Sequence, residues 1–268
     1  MGTVTQESGF QPVSRGSGRS LVLVSGSSGN IGQATVRLFL ERGFEVVGLD
    51  VAKPESVPLG PFHHHTVDLT DQPATVRAIG EIIGGEPVAH LCGIAGGAIA
   101  GDGGESGWEL PEPAVFAASV ARNLLSQYHL VHAVLPALRR VRDSRSDRSI
   151  TFCSSINALG AWGRPAYSTA KAGLLGLTRS LAEALGPDGI RVNCVAPGSV
   201  RDELNGLVGR EDAEEIGAEL AASVPLGRAA QPVDIARSFV TLALDLTHVH
   251  GQSLVVDGGQ EIRRRRPS

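Results

Sequence analysis

The chain has 268 residues, of which 42% are hydrophobic and 19% are charged, with a formal net charge of -4 at pH 7. This length and apolar fraction suit one α/β domain with a full core and do not favour a disordered chain. A weakly acidic net charge does not favour binding to nucleic acid or to a membrane surface. No apolar run reaches the ~18 residues of a membrane span. Three cysteines without metal-ligand spacing lie in apolar runs, which favours buried, reduced thiols and a cytoplasmic protein.

The two ends of the chain differ in composition from the rest. Residues 1–19 are rich in Gly and Ser and poor in apolar residues, so we expect a disordered tail without a secretory signal. Residues 261–268 contain the basic run Arg263–Arg266, which is typical of a solvated tail, with contact to an acidic neighbouring subunit as the alternative. The sequence therefore predicts one domain over residues 20–260.

Between these tails, short apolar runs alternate with longer stretches that have helical spacing. The predicted strands, in chain order, are Leu21–Ser25, Val46–Asp50, His65–Asp68, Val88–Cys92, Ser149–Cys153, Arg191–Val195 and Ser253–Val256. Strands that are apolar on both sides and separated by helices predict a parallel sheet that is buried on both faces. Right-handed crossovers then give a doubly wound sheet, in which ligands bind beyond the carboxyl ends of the strands.

The helices are predicted from apolar residues that recur every three or four positions. The first covers about Ile31–Arg42, and two later helices carry the apolar stripes Leu124, Tyr128, Val131, Leu135, Leu138 and Leu174, Leu177, Leu181, Leu185. Together the elements predict a single Rossmann-type doubly wound α/β domain, with a seven-stranded parallel sheet flanked by helices on both faces.

The turn after the first strand is rich in glycine. Gly26, Gly29 and Gly32 stand three residues apart in SGSSGNIG, between a strand and a helix. Glycine lets backbone N–H groups approach a pyrophosphate, and the helix N-terminus adds partial positive charge. Asp50 ends the second strand, where a carboxylate accepts hydrogen bonds from adenosine ribose hydroxyls and repels a 2′-phosphate. This context predicts a dinucleotide site that prefers NAD, with the nearby Lys53 as the one feature in favour of NADP.

Tyr167 and Lys171 are four residues apart in YSTAK, at the start of an apolar-striped helix. This spacing puts both side chains on one face of the helix. The pKa of a free tyrosine lies near 10, and a neighbouring ammonium group favours the phenolate and lowers it. Such a pair is common on helix surfaces, so the surroundings decide whether it is catalytic.

Those surroundings resemble the short-chain dehydrogenase/reductase family, in its short single-domain branch. The resemblance runs from about Leu21 to Gly259 and rests on SGSSGNIG, VDLTD, RNLLSQYHLVHAVLP, the Ser154-Ser155 pair, YSTAK, RVNCVAPG and VVDGG. It implies an oxidoreductase that transfers a hydride between NAD(H) and a secondary alcohol or ketone of a small, cyclic or largely apolar substrate. Similar members pair through the helices predicted at residues 123–141 and 167–185, as homotetramers or dimers.

The resemblance also implies a role for individual residues. Tyr167 is the expected proton donor or acceptor, Lys171 binds the nicotinamide ribose, and Ser155 hydrogen-bonds the substrate oxygen. Asn123 is expected to hold a water molecule in the proton relay. The expected cofactor contacts lie near the strand ends and are Gly26, Ser28, Asn30, Ile31, Asp50, Asp68, Leu69, Ala95, Gly96, Tyr167, Lys171, Pro197, Gly198 and Val200. For Asp68, capping of the following turn and proximity to the adenine are equal alternatives.

The chain departs from the family pattern at four places. Asn30 replaces the middle glycine of the turn, which we expect to be tolerated because Asn accepts positive φ. The segment Gly93–Gly96 replaces Asn-Asn-Ala-Gly, and this puts the adenine-side hydrogen bonds in doubt. Asp202 replaces a threonine expected near the carboxamide. Counting back from Tyr167 selects Ser154 as the catalytic serine, whereas position after the strand selects Ser155, which we favour.

The three consecutive histidines His63–His65 do not predict a metal site, because neighbours in a strand point to opposite faces of the sheet. Two other functions compete with the one above. An NADP-dependent biosynthetic ketoreductase is disfavoured by Asp50. A dinucleotide-binding regulatory protein without turnover is disfavoured by the complete set of Asn123, Ser155, Tyr167 and Lys171. The sequence specifies neither the substrate nor the physiological direction.

Overall fold

The computed structural model describes residues 20–103, 109–140, 147–160, 163–201, 218, 221–222 and 224–262. The expectations for the tail of residues 1–19, for the basic run Arg263–Arg266 and for Asp202 concern residues outside these ranges. They remain predictions from the sequence.

The described residues form a seven-stranded sheet in the order β3-β2-β1-β4-β5-β6-β7, and every pair of neighbouring strands is parallel. The strands are β1 Leu21–Ser25, β2 Glu45–Asp50, β3 Phe62–Thr66, β4 Val88–Gly93, β5 Arg148–Cys153, β6 Ile190–Pro197 and β7 Ser253–Val256. The chain runs outward from β1 to β3 and then returns to build the other half from β4. This order confirms the predicted doubly wound sheet, and its switch point lies between β1 and β4.

Helices cover both faces of this sheet. They are α1 Asn30–Glu41, α2 Gln72–Ile83, α3 Pro113–Val120, α4 Ser126–Leu138, α5 Pro165–Leu185 and α6 Pro232–Leu244. Alternate residues of β1 feed the two cores: Leu21 and Leu23 join a cluster with α2, α4 and α5, and Val22 and Val24 join one with α1 and α6. Because both faces are covered, we expect a ligand to bind beyond the carboxyl ends of the strands.

The third strand differs from its prediction. It covers Phe62–Thr66 rather than His65–Asp68, with Val46 opposite Phe62 and Asp50 opposite Thr66. Its position is set by backbone pairing with β2 at the edge of the sheet, and of its five residues only His65 is buried. The apolar pair Val67 and Leu69, which suggested a later strand, instead leads into α2.

The stripe predicted for α4 was wrong at Tyr128, which is 49% exposed. The helix is preceded by a π-helical turn over Ala121–Leu125. Val131 and Leu138 of the predicted stripe are buried, and the buried face of α4 also includes Gln127, Leu130 and Val134.

The three cysteines are buried thiols, as expected from their apolar surroundings. They lie in β4, β5 and β6. Burial raises the pKa of the Cys92 thiol well above its usual range and that of Cys194 to about 12. Neither of these two thiols is therefore a nucleophile at neutral pH.

A buried histidine gives the fold a defined pH dependence. His90 in β4 is 3% exposed, hydrogen-bonds through Nδ1 to Ser149 Oγ at 2.9 Å and stacks on Phe39 with ring centroids 6.2 Å apart. Burial lowers its pKa to about 4, with a smaller lowering by Arg191 and an opposing effect of Asp147. The folded chain therefore keeps His90 neutral, whereas the unfolded chain binds a proton near pH 6.5. The contribution of neutral His90 to the free energy of unfolding is therefore fully present above pH 6.5, and it is lost as the pH falls towards 4.

We expect the substitution His90→Gln to weaken this pH dependence. Between pH 6.5 and 4, the free energy of unfolding of the wild type should fall by up to about 3 kcal/mol more than that of the variant. Urea denaturation at a series of pH values measures this difference. The exposed His248 provides the control, because His248→Gln should keep the wild-type dependence. Parallel curves for the wild type and His90→Gln would show that His90 is not the group responsible.

Candidate active site

The backbone from Gly26 to Ile31, which links β1 to the start of α1, curves around a space that could hold a ligand, and we call this segment the cradle. Gly26 has a φ of 69°, and a Cβ on Gly32 would lie 1.9 Å from the Gly26 oxygen, so only glycine fits at Gly32. Gly29 occupies the N-cap of α1, and no side chain caps this helix. Its first N–H groups are therefore available to an anionic group, as a pyrophosphate site requires. These features fit a dinucleotide.

Asn30 is the first residue of α1. Among the described residues, Arg164 is the only one other than glycine with positive φ. The reason expected for tolerance of Asn30, its acceptance of positive φ, was therefore wrong. The position of the middle family glycine lies here within the right-handed helix, where any ordinary residue fits. Ile31 comes next and is buried.

Asp50 stands at the end of β2, beside this cradle. Its Oδ2 accepts a hydrogen bond from Ser28 N at 3.0 Å, and its Oδ1 accepts one from Ala52 N at 3.1 Å. The Ser28 hydroxyl donates to the Ala52 oxygen at 2.7 Å. Each carboxylate oxygen keeps a further lone pair, so Asp50 can still accept from ribose hydroxyls. The turn and the carboxylate are thus fixed relative to one another.

Asp68 caps a turn. Its Oδ1 accepts hydrogen bonds from Thr70 N at 2.9 Å and from Thr70 Oγ1 at 2.7 Å. Of the two roles left open for this residue, the structure shows the capping of the turn before α2. Leu69 is buried, and its carbonyl oxygen accepts a hydrogen bond from His129 Nδ1 at 3.0 Å.

The segment after β4 is fixed by hydrogen bonds to Ser25 of β1 and to Gln127 of α4. Ser25 Oγ accepts hydrogen bonds from Ile94 N at 3.1 Å and Ala95 N at 3.2 Å. Gln127 of α4 donates through Nε2 to the Ala95 oxygen at 2.7 Å, and its Oε1 lies 2.5 Å from where a Cβ on Gly93 would stand. The Gln127 amide therefore occupies the space that a side chain at Gly93 would need. Sequence reasoning missed Gln127, although a polar residue one turn from Asn123 was a signal.

Asn123 lies in the π-helical turn and is fully buried. Its Oδ1 accepts from Gly97 N at 2.8 Å, and its Nδ2 donates to the Gly97 oxygen at 3.1 Å and to the Ser119 oxygen at 3.0 Å. A Cβ on Gly96 would meet Asn123 Oδ1 at 2.6 Å and Lys171 Nζ at 3.2 Å. Gly96, Asn123 and Lys171 are therefore brought together. Turns of this π type occur frequently at functional sites.

Tyr167 and Lys171 lie one turn apart on α5. The Lys171 Nζ is 5.5 Å from the centroid of the Tyr167 ring and donates a hydrogen bond to the Cys153 oxygen at 2.8 Å. Lys171 is 3% exposed, whereas Tyr167 is half-buried. The structure thus places a buried ammonium group beside a partly accessible phenol.

The two adjacent serines have different partners. Ser154 Oγ donates to the Lys171 oxygen at 2.8 Å, so its hydroxyl ties β5 to α5. Ser155 Oγ donates to Asn157 Oδ1 and accepts from Asn157 N, both at 3.2 Å, at the start of a short 3-10 turn. Ser155 is also the more accessible of the two, at 9% against 2%. This arrangement favours Ser155 as the serine that meets a substrate.

The segment after β6 is fixed by a glutamine near the C-terminus. Pro197 ends β6, and Gly198 N donates to the Val256 oxygen at 3.0 Å. Gln260 accepts from Ser199 N at 2.9 Å and donates to Ser199 Oγ at 3.0 Å. Val200, which follows Ser199, is 3% exposed. Gln260 was not singled out from the sequence, because its partner lies 61 residues away.

The three histidines of β3 have separate environments. His63 Nε2 and Glu45 Oε1 lie 3.1 Å apart, and His64 Nδ1 is 3.4 Å from Ser27 Oγ. In the part of the chain that the structure describes, no three His, Cys, Asp or Glu side chains are grouped as they would be around a metal ion.

Within the same residues, no helix combines the length and apolarity needed to cross a membrane.

Comparisons with known proteins agree with this geometry. The family model described as enoyl-(acyl carrier protein) reductase matches residues 26–261. An uncharacterized short-chain type dehydrogenase/reductase of Sinorhizobium fredii is 31% identical, over 90% of this chain and 96% of the relative. A 3-oxoacyl-[acyl-carrier-protein] reductase of Chlamydia pneumoniae is 30% identical, over 89% and 95%.

A solved structure, the aldohexose dehydrogenase of Thermoplasma acidophilum, superposes with a TM-score of 0.80 at 26% identity and covers 93% of this chain and 97% of that one. This likeness and the all-parallel seven-stranded sheet support the same fold. The chain therefore belongs to the short-chain dehydrogenase/reductase family of oxidoreductases, whose members bind a nicotinamide dinucleotide.

Proposed function

We propose that this protein is an NAD(H)-dependent oxidoreductase that interconverts a secondary alcohol and a ketone, with Tyr167 as general acid/base. The observation that carries the proposal is the buried Lys171 ammonium group, 5.5 Å from the Tyr167 ring centroid. The relatives support the reaction class, because one is named for reduction of a 3-oxoacyl group and one for oxidation of an aldohexose. For this protein we propose a small substrate that is either cyclic, as an aldohexose is, or largely apolar, as an acyl chain is.

Each part of the site would have a distinct role. When bound, the nicotinamide supplies or accepts the hydride. The backbone from Gly26 to Ile31 would hold the pyrophosphate, and Lys171 would hold the ribose and favour the phenolate form of Tyr167. In reduction, Tyr167 gives its proton to the oxygen that becomes the alcohol, and in oxidation it takes that proton back. Ser155 donates a hydrogen bond to the same oxygen and stabilises its developing charge.

The proposal is tested by a panel of secondary alcohols and ketones, monitored by nicotinamide absorbance with NAD(H) and with NADP(H). We expect turnover of at least one compound, with NAD(H) as the better cofactor. Tight cofactor binding without turnover across the panel would instead support the dinucleotide-binding regulatory protein.

Cofactor preference gives a separate prediction. Asp50 is held at the cradle by Ser28 N and Ala52 N, where its charge would repel a 2′-phosphate. The wild type should therefore show a higher kcat/KM with NAD than with NADP. The substitution Asp50→Ala should bring the ratio of kcat/KM with NAD to kcat/KM with NADP closer to one, because it weakens NAD binding and removes the repulsion of the 2′-phosphate. The control is Asp71→Ala, since Asp71 caps α2 and should not alter the ratio. A wild-type preference for NADP would favour the ketoreductase alternative.

We also propose that the protein is a cytoplasmic homo-oligomer, a tetramer or a dimer. Leu125, just before α4, and Tyr128, in its first turn, are 44% and 49% exposed, and Leu177 and Leu181 of α5 are partly buried. These side chains offer an apolar surface to a second copy. Sedimentation should show an oligomer at micromolar concentration, and a stable monomer would contradict this part of the proposal.

A further inference from the structure

A buried aspartate lies close to the start of the helix that carries Tyr167. Asp102 belongs to the Gly-rich segment after β4 and is 3% exposed, although carboxylates are seldom buried unless they have partners. Its Oδ1 accepts a hydrogen bond from Ala166 N at 3.0 Å, and its Oδ2 accepts one from Tyr167 N at 2.7 Å. Both oxygens are thus directed at consecutive amides of one helical turn.

These amides have no partner within α5 itself. The helix begins at Pro165, so Ala166 and Tyr167 are its second and third residues, and their N–H groups point out of the helix end. The N-cap residue Arg164 has a left-handed backbone, with φ 51° and ψ 70°, and its side chain caps nothing. Asp102, more than 60 residues earlier in the chain, therefore provides the cap that the local sequence lacks.

This contact bears directly on the phenol. The Tyr167 amide is one of the two donors, so the carboxylate holds the backbone from which the tyrosine side chain projects. Hydrogen bonds to a charged acceptor are short and strong, and two of them on neighbouring amides fix the direction of the first turn as well as its position. Displacement of a reacting group by about 1 Å can reduce the rate by about 100-fold.

We infer that Asp102 is a positioning residue: through the first turn of α5, its carboxylate sets the place of the Tyr167 hydroxyl. The inference rests on the proposed role of Tyr167. Asp102 acts on the chemical step and not on cofactor binding, because its described hydrogen bonds to α5 are confined to the Ala166 and Tyr167 amides. Neither of these hydrogen bonds involves the Gly26–Ile31 cradle.

The substitution Asp102→Asn separates positioning from a general effect on stability. Asparagine keeps the size of the side chain but offers one acceptor oxygen to two N–H groups. We expect kcat to fall about 10- to 100-fold, while the dissociation constant of the cofactor stays within twofold of the wild type. A kcat within twofold of the wild type, or a comparable loss of cofactor binding, would overturn the inference.

Asp71→Asn is the matched control. Asp71 caps α2 by accepting from Ala74 N at 2.9 Å, so it has the same structural function at a helix that carries no proposed catalytic residue. Both variants should lose thermal stability, and only Asp102→Asn should lose kcat. If Asp71→Asn lowers kcat as much as Asp102→Asn does, the loss reflects stability and the positioning role is wrong.

Hydrogen exchange tests the geometry without any variant. In the wild type, the amides of Ala166 and Tyr167 should exchange more slowly than those in the first turn of α1, which no side chain caps. Equal exchange rates would overturn the inference even if the variants fail to fold. Turnover of Tyr167→Phe, assayed in parallel, separates the two proposals: an active Tyr167→Phe overturns the proposed function and the positioning role together. A fully active Asp102→Asn beside an inactive Tyr167→Phe overturns the positioning role alone.

Discussion

The substitution Lys171→Met should lower turnover at neutral pH by at least about 100-fold and move alcohol oxidation to higher pH. Methionine keeps the length of the buried chain and removes the ammonium group, which lies 5.5 Å from the Tyr167 ring centroid. A positive charge this close to the ring favours the phenolate. Loss of that charge leaves the tyrosine protonated at pH values where the wild type is already active as a base.

The pH profile of kcat for alcohol oxidation measures this effect. We expect the pH of half-maximal kcat to rise by about one to three units in Lys171→Met. Lys53 is the only other lysine of the chain and is exposed, so Lys53→Met provides a control that should keep the wild-type profile. An unshifted profile in Lys171→Met would show that the ammonium group does not tune Tyr167.

The fold was predictable because its signals are local. Each central strand is apolar on both sides, and a run such as Leu21–Ser25 indicates a buried parallel strand whatever surrounds it. The Gly-rich turn and the Tyr167–Lys171 spacing are likewise contained within a few residues. The edge strand β3 was misplaced because its register comes from backbone pairing with β2, and on α4 only Tyr128 of the predicted apolar stripe is exposed.

The supports of the site were not predictable, because they are contacts between distant segments. Gln127 holds the loop after β4, Gln260 holds the loop after β6, and Asp102 caps α5. Each depends on the path of a loop in three dimensions. A single carboxylate within the segment GGAIAGDGG was a signal for a capping residue, but nothing in the sequence says which helix it caps.

Tyr167→Phe should have the most specific effect of all the substitutions. Phenylalanine keeps the ring and removes only the hydroxyl group that exchanges a proton with the substrate oxygen. Because the start of α5 is fixed through the Tyr167 backbone amide, the variant should fold and bind NAD as the wild type does. A positioned acid/base group contributes about 10²–10⁴-fold to the rate, and turnover should fall by at least that order.

The chain contains one other tyrosine, Tyr128, which is half-exposed on α4 and provides the matched control. The decisive measurement is kcat, together with the dissociation constant of NAD, for the wild type, Tyr167→Phe and Tyr128→Phe on one accepted substrate. We expect kcat to fall at least about 100-fold in Tyr167→Phe alone, with NAD binding unchanged in all three. Near wild-type turnover in Tyr167→Phe with NAD still bound would contradict the assigned mechanism.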